Sequence, residues 1–178
     1  PMTVIAWDSK TLSSDSCVST TSGYYVGQDR KIFRLKSGGM LGTAGDSDCR
    51  AVISLLDSIK DGNDIPSRAE LESLRTQGEY LLVLPDKSAW TIDIYFDEDI
   101  KAFMASVNEV RSKFTAIGHG QDFARTAMSL GKTSAEAVKE ACKWSLTCRL
   151  PVQSMKLEDK PKEKIKRVRQ PKLVPEPE

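Results

Sequence analysis

Histidine is almost missing from this chain, with His119 its only copy, and the four cysteines (Cys17, Cys49, Cys142, Cys148) fall at irregular intervals without a CxxC pair. Nothing here has the spacing of a zinc or iron–sulfur ligand set. A chain of 178 residues can bury a core without covalent staples, so the cysteines read as reduced, mostly packed thiols. Long apolar runs are also lacking. No stretch approaches the ~18 to 20 uninterrupted apolar residues of a spanning helix, and no basic segment followed by an apolar one opens the chain. A membrane or secreted protein is therefore not expected; a cytoplasmic one is.

Two further motifs fail on what they lack. Gly131-Lys132-Thr133 has the look of the end of a phosphate loop, but Thr126 stands where the first glycine is required and no strand precedes it. Asp93, Asp97, Glu98 and Asp99 have neither the spacing nor the central glycine of a calcium loop, and read as a solvated turn. Neither a metal nor a cofactor is expected.

What is present is a balanced chain, 39% hydrophobic and 29% charged, with the bulk expected of one globular domain. Short strand-like runs at 4–7 and 10–14, separated by Asp8-Ser9, predict an opening hairpin. A polar stretch over 19–28 leads to a second hairpin, 31–35 and 40–43 around Ser37-Gly38-Gly39. The period then changes. Cys49, Val52, Ile53, Leu56 and Ile59 recur at helical spacing, with Asp46 or Ser47 placed to cap the first turn. Pro66-Ser67 begins a shorter helix over 68–77. Strands at 80–84 and 89–94 flank Pro85-Asp86-Lys87; residues 100–114 are ambiguous; 115–117 reads as a strand; and 122–130 and 134–144 read as amphipathic helices. Runs of strands alternating with pairs of helices predict an α+β protein with sheets sandwiched between helical layers, and exclude single βαβ units wound into a parallel sheet.

The charge is uneven. From Lys156 onward there are eight Lys/Arg against five Asp/Glu, whereas residues 1–155 carry eighteen against twenty. The domain is drawn over 1–152 and the basic, Pro-rich remainder over 153–178, where too few apolar side chains offset the entropy of ordering. That tail is expected to be mobile alone or docked on a neighbour. It lacks aromatics for base stacking and is diluted by Glu158, Asp159 and Glu163, so a peptide arm on a protein is preferred over a nucleic-acid contact.

The order of four pieces carries more information than any one of them. Residues 2–15 (Met-Thr-Val-Ile-Ala-Trp-Asp-Ser-Lys-Thr-Leu-Ser-Ser-Asp), 30–35 (Arg-Lys-Ile-Phe-Arg-Leu), Gly42-Thr-Ala-Gly45 before a helix and Ala116-Ile-Gly-His-Gly120 before another resemble the HslV peptidase and proteasome β-subunit family of N-terminal-nucleophile hydrolases. The resemblance covers roughly residues 2–150 and is strongest to the short forms from bacteriophages and bacteria. It implies a four-layer αββα sandwich of two antiparallel sheets, a ring-like homo-oligomer, peptide or protein substrates, and a bacterial cytosolic or phage-encoded, virion-associated setting. Thr3 takes the place of the nucleophile, whose own α-amine serves as base once the preceding residues are removed. Lys31 takes the place of the lysine beside it, Asp15 that of the carboxylate holding the lysine, and Gly42 that of a backbone donor to the oxyanion.

The chain departs from the family in two places. His119 lies between glycines where the family has serine, and Ser145 and Arg149 lie where a supporting carboxylate is usual. Both His119 and Ser145 are carried as candidate site residues. Plainer readings stand beside these: Thr3 as a strand former, Asp15 and Lys31 as a partly exposed structural ion pair, and His119 as a residue tolerating an unusual backbone angle. They lead to a second expectation, a catalytically silent assembly protein of the same fold. A third keeps the chemistry and exchanges the peptide for a small amide.

Overall fold

A computed structural model describes residues 3–19, 25–45 and 49–157. Eleven strands are described: β1 Ile5–Trp7, β2 Thr11–Ser14, β3 Cys17–Ser19, β4 Tyr25–Gln28, β5 Ile32–Arg34, β6 Met40–Gly45, β7 Gly78–Val83, β8 Ala89–Asp97, β9 Ala102–Glu109, β10 Thr115–Ile117 and β11 Gln153–Lys156. Four α-helices accompany them: α1 Arg50–Leu56, α2 Arg68–Ser73, α3 Gln121–Ser129 and α4 Ser134–Trp144. One antiparallel sheet has the order β10-β1-β2-β11, a second the order β5-β6-β7-β8-β9, and β3 pairs with β4 in a separate hairpin. The class is α+β. Among the described residues no helix is long and apolar enough to cross a membrane.

The strand period of two divides the apolar residues between faces. Leu41, Tyr80, Leu82, Ile92 and Ile94 of the five-stranded sheet pack with Val52 and Leu56 of α1 and Leu71 of α2. Their neighbours along the same strands, Met40, Ala44, Leu81, Val83 and Ala89, turn the other way and meet Ile5, Trp7 and Leu12 of the four-stranded sheet. Val4, Ala6 and Ala116 face away from that contact and pack on Ala124, Ala127 and Met128 of α3 and Ala137, Val138 and Ala141 of α4. The alanines on both sides let these helices approach the sheet closely.

Local rules set several boundaries. Ser67 with Glu70, and Thr133 with Glu136, form complete capping boxes at the starts of α2 and α4. Asp8, in the β1–β2 turn, accepts from the N–H of Ser134 at 2.8 Å, tying the hairpin to the positive end of α4. Burial raises the Asp8 carboxyl, but its bonds from the N–H groups of Ser134, Thr11 and Lys10 outweigh that and hold it below the usual carboxylate value.

Several expectations shift. The helix predicted over 49–59 ends at Leu56 because Asp57 is drawn into the β5–β6 turn. Its carboxylate accepts from the N–H of Lys36 at 2.7 Å and its carbonyl from the N–H of Ser37 at 2.9 Å. The cap assigned to Asp46 or Ser47 falls outside the described residues. The helix predicted to run to 77 ends at Ser73, before Arg75 at φ 51°. The ambiguous segment 100–114 contains β9, paired with β8 from Trp90↔Glu109 to Asp97↔Ala102. The chain keeps packing past the boundary drawn at 152: Gln153 to Lys156 pair with β2, and Leu157 packs on the core between the sheets. Gln153 and Met155 are half-buried while Ser154 and Lys156 are exposed, and the strand covers what would otherwise be a bare edge of β2.

Gly42 lies on β6, opposite Ile32 on one side and Leu81 on the other. A Cβ added there would meet Cγ2 of the fully buried Ile5 well inside contact distance. Gly42→Ala is therefore expected to cost about 1 to 3 kcal/mol by overpacking, read as a lowered urea midpoint with an unchanged m-value.

Candidate active site

Three residues far apart in sequence converge where the chain enters β1. Asp15 follows β2, Lys31 precedes β5 and Thr3 precedes β1, and all three are buried, at 3% exposure for Thr3, 0% for Asp15 and 8% for Lys31. The hydroxyl of Thr3 donates to Asp15 Oδ1 at 2.7 Å. Lys31 Nζ donates to the same Oδ1 at 3.0 Å and also to the Thr3 hydroxyl oxygen. Thr3 Oγ1 thus lies between a cation and a carboxylate, accepting from one and donating to the other. The partial exposure expected for a structural Asp15–Lys31 ion pair is overturned, since the Asp15 side chain is fully buried and that of Lys31 is 11% exposed.

The carboxylate of Asp15 is held on all sides. Its Oδ1 also accepts from the N–H of Val4 at 3.0 Å, and its Oδ2 accepts from Cys17 N–H at 3.0 Å and Arg149 N–H at 3.3 Å. The backbone closes the loop from the other direction, with Asp15 N–H donating to Val4 O at 3.2 Å and Ser16 N–H to Arg149 O at 3.3 Å. Five donors on one buried carboxylate offset its desolvation and fix its orientation. Position 149 was legible as unusual from its side chain; its backbone is what meets Asp15.

The turn 118–120 approaches Thr3 from the other side. Gly118 has φ 84°, and a Cβ there would stand 2.5 Å from the Thr3 carbonyl oxygen, so the position demands glycine twice over. Gly120 N–H donates to that carbonyl at 3.2 Å, and Gly118 N–H donates to Glu79 Oε2 at 2.9 Å. His119 is exposed, and the left-handed backbone predicted for it belongs to Gly118 instead. Glu79 lies opposite Asp93 on β8. Burial first, and the neighbouring Glu79 charge second, push the Asp93 carboxyl above the usual carboxylate value. Glu79 was not legible in the sequence, because nothing marks one glutamate at the start of a strand.

The remaining candidates are placed differently. Thr43 N–H donates to Lys31 O at 2.8 Å, and paired and open positions alternate along an antiparallel ladder, so the N–H of Gly42 points toward β7 and Leu81. Gly42 serves the sheet ladder and the close approach of Ile5, not an oxyanion pocket beside Thr3. Ser145 caps the end of α4, its hydroxyl 2.9 Å from that of Thr147. Its segment reaches the site only through Cys148 and Arg149: the Cys148 sulfur would lie 2.9 Å from a Cβ on Gly120. Among the described residues no group of three His, Cys, Asp or Glu side chains could hold a metal ion.

None of the four cysteines forms a disulfide. Burial pushes the Cys142 thiol up to about 12, with the Asp15 charge adding to it; burial likewise raises Cys148, and burial together with Asp15 raises Cys17. Because the thiolate is the reactive form, Cys17, Cys142 and Cys148 are expected to resist iodoacetamide at pH 8 in the native protein and to be alkylated after denaturation, as read by peptide mapping.

No protein-family model matches the chain, and no curated protein matches it. Among solved structures it is similar to Thiobacillus denitrificans BPH. The overlay covers 89% of this chain and 99% of that one, with a TM-score of 0.59 and 18% sequence identity. At that identity the likeness establishes a shared fold and nothing about the site.

Proposed function

We propose that the chain is a threonine-type peptidase subunit of the HslV and proteasome β kind, with Thr3 as nucleophile after removal of the residues before it. The observation that carries this reading is the Thr3 hydroxyl held between Lys31 and Asp15 in a buried site at the entry to β1. In this reading the free α-amine of Thr3, with an ordinary pKa of ~7.7 to 8.0, takes the hydroxyl proton as Oγ1 attacks the peptide carbonyl carbon. The Lys31 ammonium stabilises the developing alkoxide, and Asp15 keeps that ammonium in place. The C–N bond then breaks, the proton passes to the departing amine, and water hydrolyses the ester left on Thr3.

The three apolar clusters, one between the sheets and one on the far face of each, support arranging the elements as the four-layer αββα sandwich of that family. A ring-like homo-oligomer belongs to the same reading. Trp144, Leu146 and Leu150, exposed at 65%, 93% and 57%, offer apolar surface for such a contact. A bacterial cytosolic or phage-encoded setting goes with it, and the segment after 157 is proposed as an arm that binds a neighbouring protein.

One observation favours the second reading, a silent assembly protein of this fold. The Thr3 hydroxyl is nearly inaccessible and its hydrogen is committed to Asp15, an arrangement that also serves as a buried structural lock. Covalent trapping of Thr3 by a threonine-directed electrophile, in protein beginning at that residue, separates the two.

A further inference from the structure

Thr3 is approached by two sets of groups, and only one contains the charged pair just described. The other is the turn from Gly118 to Gly120, which touches Thr3 through backbone alone: Gly120 N–H binds the Thr3 carbonyl at 3.2 Å, and Gly118 packs too closely against that carbonyl to carry a side chain. Such a turn needs something to fix it. From the side of α3, Gln121 N–H closes it onto Gly118 O at 3.0 Å. From the other side, the N–H of Gly118 is taken by Glu79, whose carboxylate reaches across from the second position of β7.

Two features make this contact more than a chance bond. It joins the two large sheets beside Thr3, since Glu79 belongs to the five-stranded sheet while the turn follows β10 of the four-stranded one. Glu79 also sits on the inner face, in register with Ala44 on one side and Asp93 on the other, where carboxylates are costly unless something engages them. A charged acceptor on a backbone N–H is about twice as strong as a neutral one.

We propose that Glu79 is a positioning residue for Thr3, acting through the Gly118–Gly120 turn that holds the Thr3 carbonyl. This rests on the reading of Thr3 as nucleophile for its catalytic consequence. With the turn released, the carbonyl of Thr3 loses its anchor, and its hydroxyl and amine no longer share one orientation toward a bound peptide. Displacements of about 1 Å at a reacting group can cost on the order of a hundredfold in rate.

The test compares Glu79→Leu and Glu79→Gln with the unaltered protein, each prepared to begin at Thr3. Two readouts are taken: amide hydrogen exchange at Gly118 and Gly120, and the rate of adduct formation with a peptide epoxyketone. Glu79→Leu is expected to raise exchange at both amides by about tenfold, the size of a lost charge-assisted bond, and to slow adduct formation by about 10 to 100-fold. Glu79→Gln keeps an acceptor oxygen and is expected to restore both to within about threefold. Unchanged exchange at Gly118 and Gly120 in a folded Glu79→Leu protein, or slow adduct formation that Glu79→Gln does not rescue, overturns the proposal. If Glu79→Leu does not fold, Glu79→Gln and Glu79→Asp decide it: the shorter Asp must lose the protection that Gln keeps. Absence of any adduct on the unaltered protein refutes the peptidase reading, and the exchange data then decide separately whether Glu79 fixes the turn.

Discussion

Protein whose chain starts at Thr3 should gain one covalent adduct per subunit when incubated with a peptide epoxyketone or boronate, and protein retaining Met2 should gain none. The difference lies in one group. In the extended chain the nitrogen of Thr3 is an amide with no basic lone pair, and the hydroxyl's hydrogen is directed at Asp15 Oδ1, 2.7 Å away. Freed, that nitrogen becomes an amine able to accept the proton at working pH. Thr3→Ala should abolish the adduct and lower peptide hydrolysis by at least about a thousandfold, as loss of a nucleophile does elsewhere. Intact mass and peptide mapping read the result. An adduct that persists in Thr3→Ala, or none on the trimmed protein, would remove the peptidase reading and leave the buried lock.

Removal of the lysine should be the costliest change to stability that the site offers. Lys31→Met keeps most of the volume but leaves Asp15, with no exposed surface, facing the Thr3 hydroxyl and backbone N–H groups alone. Breaking one half of a buried pair typically costs about 3 to 5 kcal/mol, which in a chain of this size lowers the melting temperature by about 6 to 20 °C. Asp15→Asn combined with Lys31→Met should recover part of the loss, because both charges are then absent and the amide still accepts and packs. Lys31→Arg should not rescue, since a planar fork cannot take the place of a compact ammonium in contact with Oγ1. A loss below about 1 kcal/mol in Lys31→Met, measured by urea or thermal melts, would mean that the pair is not buried as described.

The two predictions draw on information of different kinds. That Thr3, Asp15 and Lys31 belong together was legible from a resemblance in spacing, and the structure brings the three together as buried hydrogen-bonded partners. Helix α2 was legible from Pro66-Ser67 and α4 from its amphipathic spacing, while the capping boxes Ser67/Glu70 and Thr133/Glu136, which use only neighbours in sequence, came to light with the structure. β9 was not legible: Phe103, Ala105 and Val107 alternate in a segment that also fits a helix, and pairing with β8 decides between them. Glu79 and the backbone of Arg149 were hidden for the same reason, since each matters only through a partner 39 or 134 residues away.

The amino-acid sequence by itself determined the punctuation of the chain: its turns, its capped helices, its alternating strands and the charged residues available to a site. Those follow from interactions within a few residues, whose energies do not depend on the rest of the fold. Only the tertiary structure decided that a carboxylate at 15 and an ammonium at 31 lose their water beside the hydroxyl at 3, that Gly42 serves packing, and that residues 153 to 156 complete a sheet edge. Each of those depends on which distant surface removes the group from solvent, and desolvation is set by the packing of sheets and helices, not by neighbours along the chain.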